Sequence, residues 1–393
     1  MSKPENPKRI LYVDTAVSIA GGQVSLIEIL RLLDTLRFTP VVCSPANSRM
    51  RTTCEELGVA WLPIPVESVH VSTVTGSGPF VVLRDLVLSI YSTFYLCRLI
   101  WKNRIDIVHT NNFKAALIGG LASLLSGRPM IFHDRVHITH GILGRLVALL
   151  AARIIVVSRA VGTKHRGFIA NKVRLIRDGI DVDRFTPSGG AGPGDLIGSL
   201  GRISEEKGII DLVESAPLIL DQVPDASFAI GGAPFTPDDE VYLERIKRRI
   251  GELGLSEKFR FPGYVEDARG FLESVSVLAL PSKNEPLRLV PLEAMALGKP
   301  VVSFDIGGPR EIISNRVDGV LVGPGDRGAF AQAIADLLKD PQTARQMGAR
   351  GRQTVAKRFS HRVFVDTVMR LYDEICHSPA ASDRAGESGR SGV

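Results

Sequence analysis

The chain has 393 residues, 45% hydrophobic, 23% charged and 6% aromatic. That is too long for one ordinary core and predicts two or three domains, and its composition excludes disorder throughout. The net charge of +6 is uneven: residues 1–185 hold 23 Lys+Arg against 13 Asp+Glu, and residues 186–393 hold 25 against 29. A basic first half suits an anionic membrane or a phosphorylated acceptor, whereas the absence of a basic stripe interleaved with aromatics argues against a nucleic-acid partner.

The opening MSKPENPKRILYV runs from polar residues into a strand without the apolar region of a signal peptide. Strands are expected at Ile10–Asp14, Pro40–Cys43, Ala60–Ile64, Asp106–His109, Met130–His133, Ile154–Val157 and Val173–Ile176. Between them, helical patterns cover Gln23–Leu36, Leu83–Trp101, Phe113–Leu125 and Leu143–Ala152. Runs such as IIVV are apolar on both faces, as parallel strands between two helical layers must be, and the alternation predicts βαβ units in a doubly wound α/β sheet. The most apolar stretch, Phe80–Trp101, is broken by Arg84, Asp85 and Arg98, so it reads as a core-packed helix or a membrane-surface helix rather than a span.

Six of the eight residues Pro187–Gly194 are Gly or Pro, which predicts an interdomain linker. The alternation then restarts, with strands at Leu196–Leu200, Ser227–Ile230, Phe259–Phe261, Val277–Leu280, Val301–Phe304 and Val320–Val322. Helices are expected at Ile209–Leu220, Asp239–Leu253, Val290–Leu297 and Ala329–Leu338. The expected plan is an N-terminal Rossmann-like domain (1–186), a linker (187–194), a second Rossmann-like domain (195–358), a helix crossing back to the first domain (359–377) and a disordered tail (378–393). Two such sheets are expected to bring their carboxyl-end loops to a shared cleft. Four cysteines without a C-x-x-C pair read as reduced thiols of a cytoplasmic protein.

Three motifs carry chemistry. Gly21-Gly22 follows the first strand and precedes a helix, where glycines let backbone N–H groups approach a phosphate; a plain turn is the alternative. Gly198-Ser199-Leu200-Gly201-Arg202, followed by Lys207-Gly208, places two cations across a strand-to-helix loop within reach of one pyrophosphate, unless Glu205 and Glu206 pair with them. The segment Pro281–Val302 ends a buried strand and opens a helix, with Glu285 on the loop and Glu293 about one turn into the helix, roughly 5 Å along the axis. Two carboxylates there can accept hydrogen bonds from vicinal hydroxyls, the groups that sugars present. The helix dipole alone would account for Glu293 but not for Glu285. No Asp-x-Asp pair is suited to a divalent ion on a diphosphate, and His109, His133, His137 and His140 lack the helical spacing of a zinc site, so no metal is expected.

The stretch PSKNEPLRLVPLEAMALGKPVVSFDIGGPREI closely resembles the donor-binding core of the family 4 retaining glycosyltransferases, which have the GT-B fold. The resemblance extends over nearly the whole chain through GGQVSLIEIL, DIVHTNN, IFHD, IRDGIDVDRFTP, GSLGRISEEKGI and GVLVGPGD. It implies a nucleotide-diphospho-sugar donor and metal-independent transfer to a sugar, lipid-linked or small-molecule acceptor; the basic first half adds the expectation of peripheral contact at an inner membrane face. By this resemblance Arg202 and Lys207 neutralise the diphosphate, Glu293 binds the ribose and Glu285 the transferred sugar. Backbone N–H groups around Leu287, Arg288, Leu289 and Val290 hold sugar and phosphate, and Val265 seats the base. Gly21, Gly22, His109, Asn111 and His133 lie on the acceptor side, with Gly22 also a contact for the donor phosphate and His133 near the reacting centre. The chain departs from the pattern at Arg288, where the family often has Gly, and at Leu287, where it often has an aromatic residue; the Arg288 side chain either fills sugar space or grips an acidic ligand. Two rival readings are a non-catalytic nucleotide-sugar-binding subunit and a nucleotide-sugar epimerase.

Overall fold

A computed structural model describes residues 6–19, 21–65, 79–136, 140–188, 194–283 and 289–377. Glu285, Leu287, Arg288, His137, most of the Gly/Pro run and the tail from residue 378 lie outside the described residues.

The chain divides into two units: Met1–Arg177 with Phe364–Val393, and Asp178–Val363. The first holds β1 (Lys8–Val13), β2 (Phe38–Pro45), β3 (Ala60–Ile64), β4 (Ile107–Thr110), β5 (Met130–Asp134), β6 (Arg153–Val156) and β7 (Val173–Leu175), in the spatial order 3-2-1-4-5-6-7 with every pairing parallel. The second holds β8 (Leu196–Leu200), β9 (Ser227–Gly231), β10 (Phe259–Gly263), β11 (Val277–Leu280), β12 (Val301–Phe304) and β13 (Val320–Val322), in the order 10-9-8-11-12-13, again parallel. Both are Rossmann-like sheets, and every strand expected from sequence is present.

In the first unit, the helices Gly21–Leu32 and His361–Cys376 bury Leu26, Ile29, Val368 and Tyr372 against one face of the sheet. Helices Pro79–Lys102 and Phe113–Ser126 bury Leu96, Ile100, Ile118 and Ala122 against the other. The helix Phe113–Ser126 is capped by Asn112, whose side chain accepts from the Ala115 amide, an interaction worth about 1 kcal/mol.

The first unit ends at Arg177, ahead of the Gly/Pro run where the boundary was expected. The intervening residues pack on the second unit: the Ile180 amide donates to the Phe359 carbonyl (2.8 Å), the His361 amide donates to the Ile180 carbonyl (2.8 Å), and Arg352 donates to the Phe185 carbonyl (3.0 Å). The helix Pro341–Arg358 was not foreseen because PQTARQMGARGRQTVAKR carries no apolar stripe. It packs through Met347 and Val355 with two glycines between them; a side chain at Gly348 would collide with the Gly298 carbonyl.

Candidate active site

In an open parallel sheet, ligands gather beyond the carboxyl ends of the strands where the order reverses. In the first unit that place lies between β1 and β4, and side chains bridge the two loops. Asp14, fully buried just past β1, accepts from the Ala16 amide (2.7 Å), Gln23 Nε2 (2.9 Å), Asn112 Nδ2 (3.0 Å) and Asn111 Nδ2. Asn111 Nδ2 also donates to the Gly22 carbonyl (3.1 Å), and Asn111 Oδ1 accepts from Arg135 Nη1 (2.6 Å). Asn111 is therefore committed to holding the glycine turn and Arg135 in place.

Gly21 and Gly22 form the first turn of the helix rather than a turn before it. Neither has a positive φ, and an added Cβ would meet nothing at Gly21 and nothing closer than 3.5 Å at Gly22. Local backbone and packing in this unit thus do not require glycine at either position.

Behind Arg135 runs a buried chain of polar groups. Arg135 Nη2 lies 3.0 Å from His133 Nδ1, His109 Nε2 lies 3.3 Å from the same nitrogen, and His109 Nδ1 lies 2.7 Å from the Tyr372 hydroxyl. The Tyr372 and Tyr12 hydroxyls are 3.0 Å apart. Guanidinium only donates, so His133 Nδ1 is an acceptor and its proton sits on Nε2. His109 Nε2 must then carry a proton to face that nitrogen, which leaves His109 Nδ1 to accept from Tyr372. Burial and the Arg135 charge hold the His109 ring down to about 3 and the His133 ring well below its ordinary 6.5, so both imidazoles are neutral. Burial also raises both tyrosines well above 10, keeping their protons in place. The two ring nitrogens of His109 face His133 and Tyr372.

In the second unit the corresponding place lies between β8 and β11. The loop after β8 and the strand end of β11 touch so closely that a side chain at Gly208, whose φ is +61°, would collide with the Pro281 carbonyl. The Lys283 amide donates to the Glu206 carbonyl (2.8 Å) and ties the two loops together. One pocket there is lined by Gly201, Arg202, Lys207, Ser282, Val290 and Pro291, among others. Arg202, Lys207 and Val290 therefore converge as expected from sequence.

The intervening acids do not cancel these cations equally. Glu205 turns away to Arg245 (2.6 Å) and Lys283 (2.8 Å), while Glu206 reaches Arg202 only at 3.4 Å. Arg202 Nε and Ser204 Oγ, both buried on this loop, have no hydrogen-bond partner among the described residues. Lys207 is buried, and Leu289 opens the helix Leu289–Ala296 next to the pocket.

Glu293, half-buried on the second turn of that helix, has its carboxyl pushed up to about 7 by burial, against a lowering influence from Arg184. Val265 lies over Gly231 at the end of β9, beside Leu200. Among the described residues, no group of three or more His, Cys, Asp or Glu side chains is arranged to hold a metal ion. Sequence reasoning missed Asp14, Arg135, Tyr12, Tyr372 and Arg184. Arg135 was signalled by its place two residues after His133, whereas nothing in the sequence ties Tyr372 to a histidine 263 residues earlier.

Residues 19–184 match the family described as Glycosyltransferase Family 4, and residues 185–354 match Glycosyl transferases group 1. The chain is 29% identical over 312 residues to an alpha-maltose-1-phosphate synthase of Mycobacterium tuberculosis, covering 69% of this chain and 79% of that one. It is 24% identical over 318 residues to an Escherichia coli UDP-Gal:alpha-D-GlcNAc-diphosphoundecaprenol alpha-1,3-galactosyltransferase, covering 73% and 80%. In fold it resembles Anabaena HepE in complex with UDP-glucose, with a TM-score of 0.75, 21% identity and coverage of 93% and 99%.

Proposed function

Because the chain belongs to the group 1 glycosyltransferases, built with a family 4 first half, we propose that it moves a sugar from a nucleotide-diphospho-sugar, foremost a UDP-sugar, to an acceptor hydroxyl with retention and without a metal ion. The observation that carries this reading is the convergence of Arg202 and Lys207 on one pocket at the switch point of the second sheet. The HepE complex with UDP-glucose supports the choice of donor.

In this reading Arg202 and Lys207 hold the diphosphate and take up the negative charge that develops as it departs. Ionised Glu293 accepts hydrogen bonds from the ribose, and Val265 seats the base. Glu285 and the backbone of residues 287–290 hold the sugar. Neutral His133 offers its Nε2 proton to the sugar, oriented by His109 and Arg135. The bond from the anomeric carbon to the phosphate oxygen breaks, the bond to the acceptor oxygen forms on the same face, and the acceptor proton passes to the departing phosphate. The products are a glycoside and a nucleoside diphosphate.

A lipid-linked acceptor is the class we favour, supported by the E. coli relative whose name specifies one. The free cysteines, three of them buried, suit a reducing, cytoplasmic setting.

Stabilisation by a panel of UDP-, GDP- and ADP-sugars, followed by labelled-sugar transfer, tests this reading. Arg202→Ala is expected to lose about 1.5–3 kcal/mol of donor binding, or roughly 10- to 150-fold in affinity. Absence of stabilisation by every donor, or equal stabilisation of the variant, refutes it. Donor conversion without any acceptor would instead establish an epimerase.

A further inference from the structure

Twelve of the 21 large apolar side chains exposed among the described residues lie on three helices of the first unit: Pro79–Lys102, Phe113–Ser126 and Gly141–Leu150. The first two pack side by side, as do the second and third, and the buried sides of the first two cover the same face of the sheet. Each helix also turns a second apolar stripe outward at helical spacing. On the first these are Val87, Tyr91, Phe94 and Trp101, the last two 63% and 62% exposed. On the second they are Leu121, Leu124 and Leu125, and on the third Ile142, Leu146 and Leu149. A helix that is apolar all round belongs in a buried setting, and among the described residues these are covered on one side only.

The same layer is basic. Arg84, Arg98, Lys102, Arg104, Arg128 and Arg145 are all exposed on these helices or at their ends. The three helices contain a single acid, Asp85. Among the described residues no helix is long and apolar enough to cross a membrane.

We propose that this three-helix face is a docking surface for an anionic lipid bilayer. Apolar side chains enter the interface while the arginines and lysine meet the lipid phosphates. A second copy of the chain suits the face poorly, because in a twofold dimer the same patch meets itself and its cations oppose their like. The proposal is independent of which sugar is transferred, and its test does not read transfer.

The chain has two tryptophans, so Trp61→Phe leaves Trp101 as the sole reporter. With phosphatidylcholine vesicles containing phosphatidylglycerol at low salt, Trp101 emission is expected to shift to the blue, become protected from acrylamide and return as salt rises. The protein should co-float with these vesicles but not with pure phosphatidylcholine. Arg98→Gln/Arg128→Gln should lower the partition about fivefold for each cation removed. Phe94→Ser/Trp101→Ser/Leu124→Ser, read by flotation in the parent chain, should lower it at least tenfold, with the unfolding midpoint of both variants unchanged. Equal flotation with both vesicle types, failure to bind either, indifference to both variants, or self-association that protects Trp101 without lipid would each overturn the proposal.

Discussion

Glu293 allows a function to be tested through stability. Its carboxyl titrates near 7 in the folded chain against an ordinary 4.5, because helix packing removes water from it. The native state therefore keeps a proton that the unfolded chain releases, and stability falls as pH rises from about 4.5 to about 7, then levels off. At 1.36 kcal/mol per pH unit the full penalty is about 3 kcal/mol, an upper bound for a half-buried side chain. Glu293→Gln keeps the shape and removes the charge. The variant is expected to match the parent near pH 4.5 and to exceed it by up to about 3 kcal/mol at pH 8. That corresponds to roughly 6–12 °C in the unfolding midpoint of a unit of this size. Denaturation of the full chain at the two pH values, without ligand, measures the difference. Stabilisation by UDP should be weaker in the variant at pH 8, since the amide replaces an ionised acceptor by a neutral one. A stability difference that does not change with pH, or a variant less stable at pH 8, would refute the argument from burial.

Two further outcomes follow from the first unit. Tyr372→Phe removes the hydroxyl between His109 and Tyr12 and should destabilise the fold by about 1–3 kcal/mol, the cost of buried groups left unpaired. Imidazole nitrogen NMR should show the His109 Nδ1 resonance shift as it loses its donor while Nε2 stays protonated, and an unchanged Nδ1 would contradict the proton assignment. Gly22→Ala should fold with stability equal to the parent or higher by up to about 1 kcal/mol, because local packing accepts a methyl group and alanine favours the helix. If the glycine serves ligand approach, that variant should lose transfer or donor stabilisation; full activity would mean that it does not.

The architecture was legible because its signals are local. Runs apolar on both faces mark parallel strands, and each expected strand from Ile10–Asp14 to Val320–Val322 is present. The cations of the second unit were legible for the same reason: Arg202 and Lys207 lie five residues apart on one strand-to-helix loop, so a single β-α turn brings them together. The helix Leu289–Ala296 likewise fixes Glu293 through its own periodicity. The helix Pro341–Arg358 was not legible, since its buried line holds only Met347 and Val355 beside two glycines, too sparse an apolar stripe to read.

Sequence alone therefore determined the two parallel sheets and the charged loop of the second, because hydrophobic period and short spacing act within one turn of chain. Tertiary structure decided what each group does once solvent is removed. It selected the arginine that Glu206 reaches only loosely, made Glu293 a weaker acid, and set Arg135 and Tyr372 at the two ends of the His133–His109 pair, where Arg135 fixes the protons and Tyr372 meets the nitrogen left to accept. It also left the outer stripes of three apolar helices uncovered, which no pattern in the sequence distinguishes from a buried face. Desolvation and long-range hydrogen bonding depend on which elements meet, and that is set only when the sheet has closed around its core.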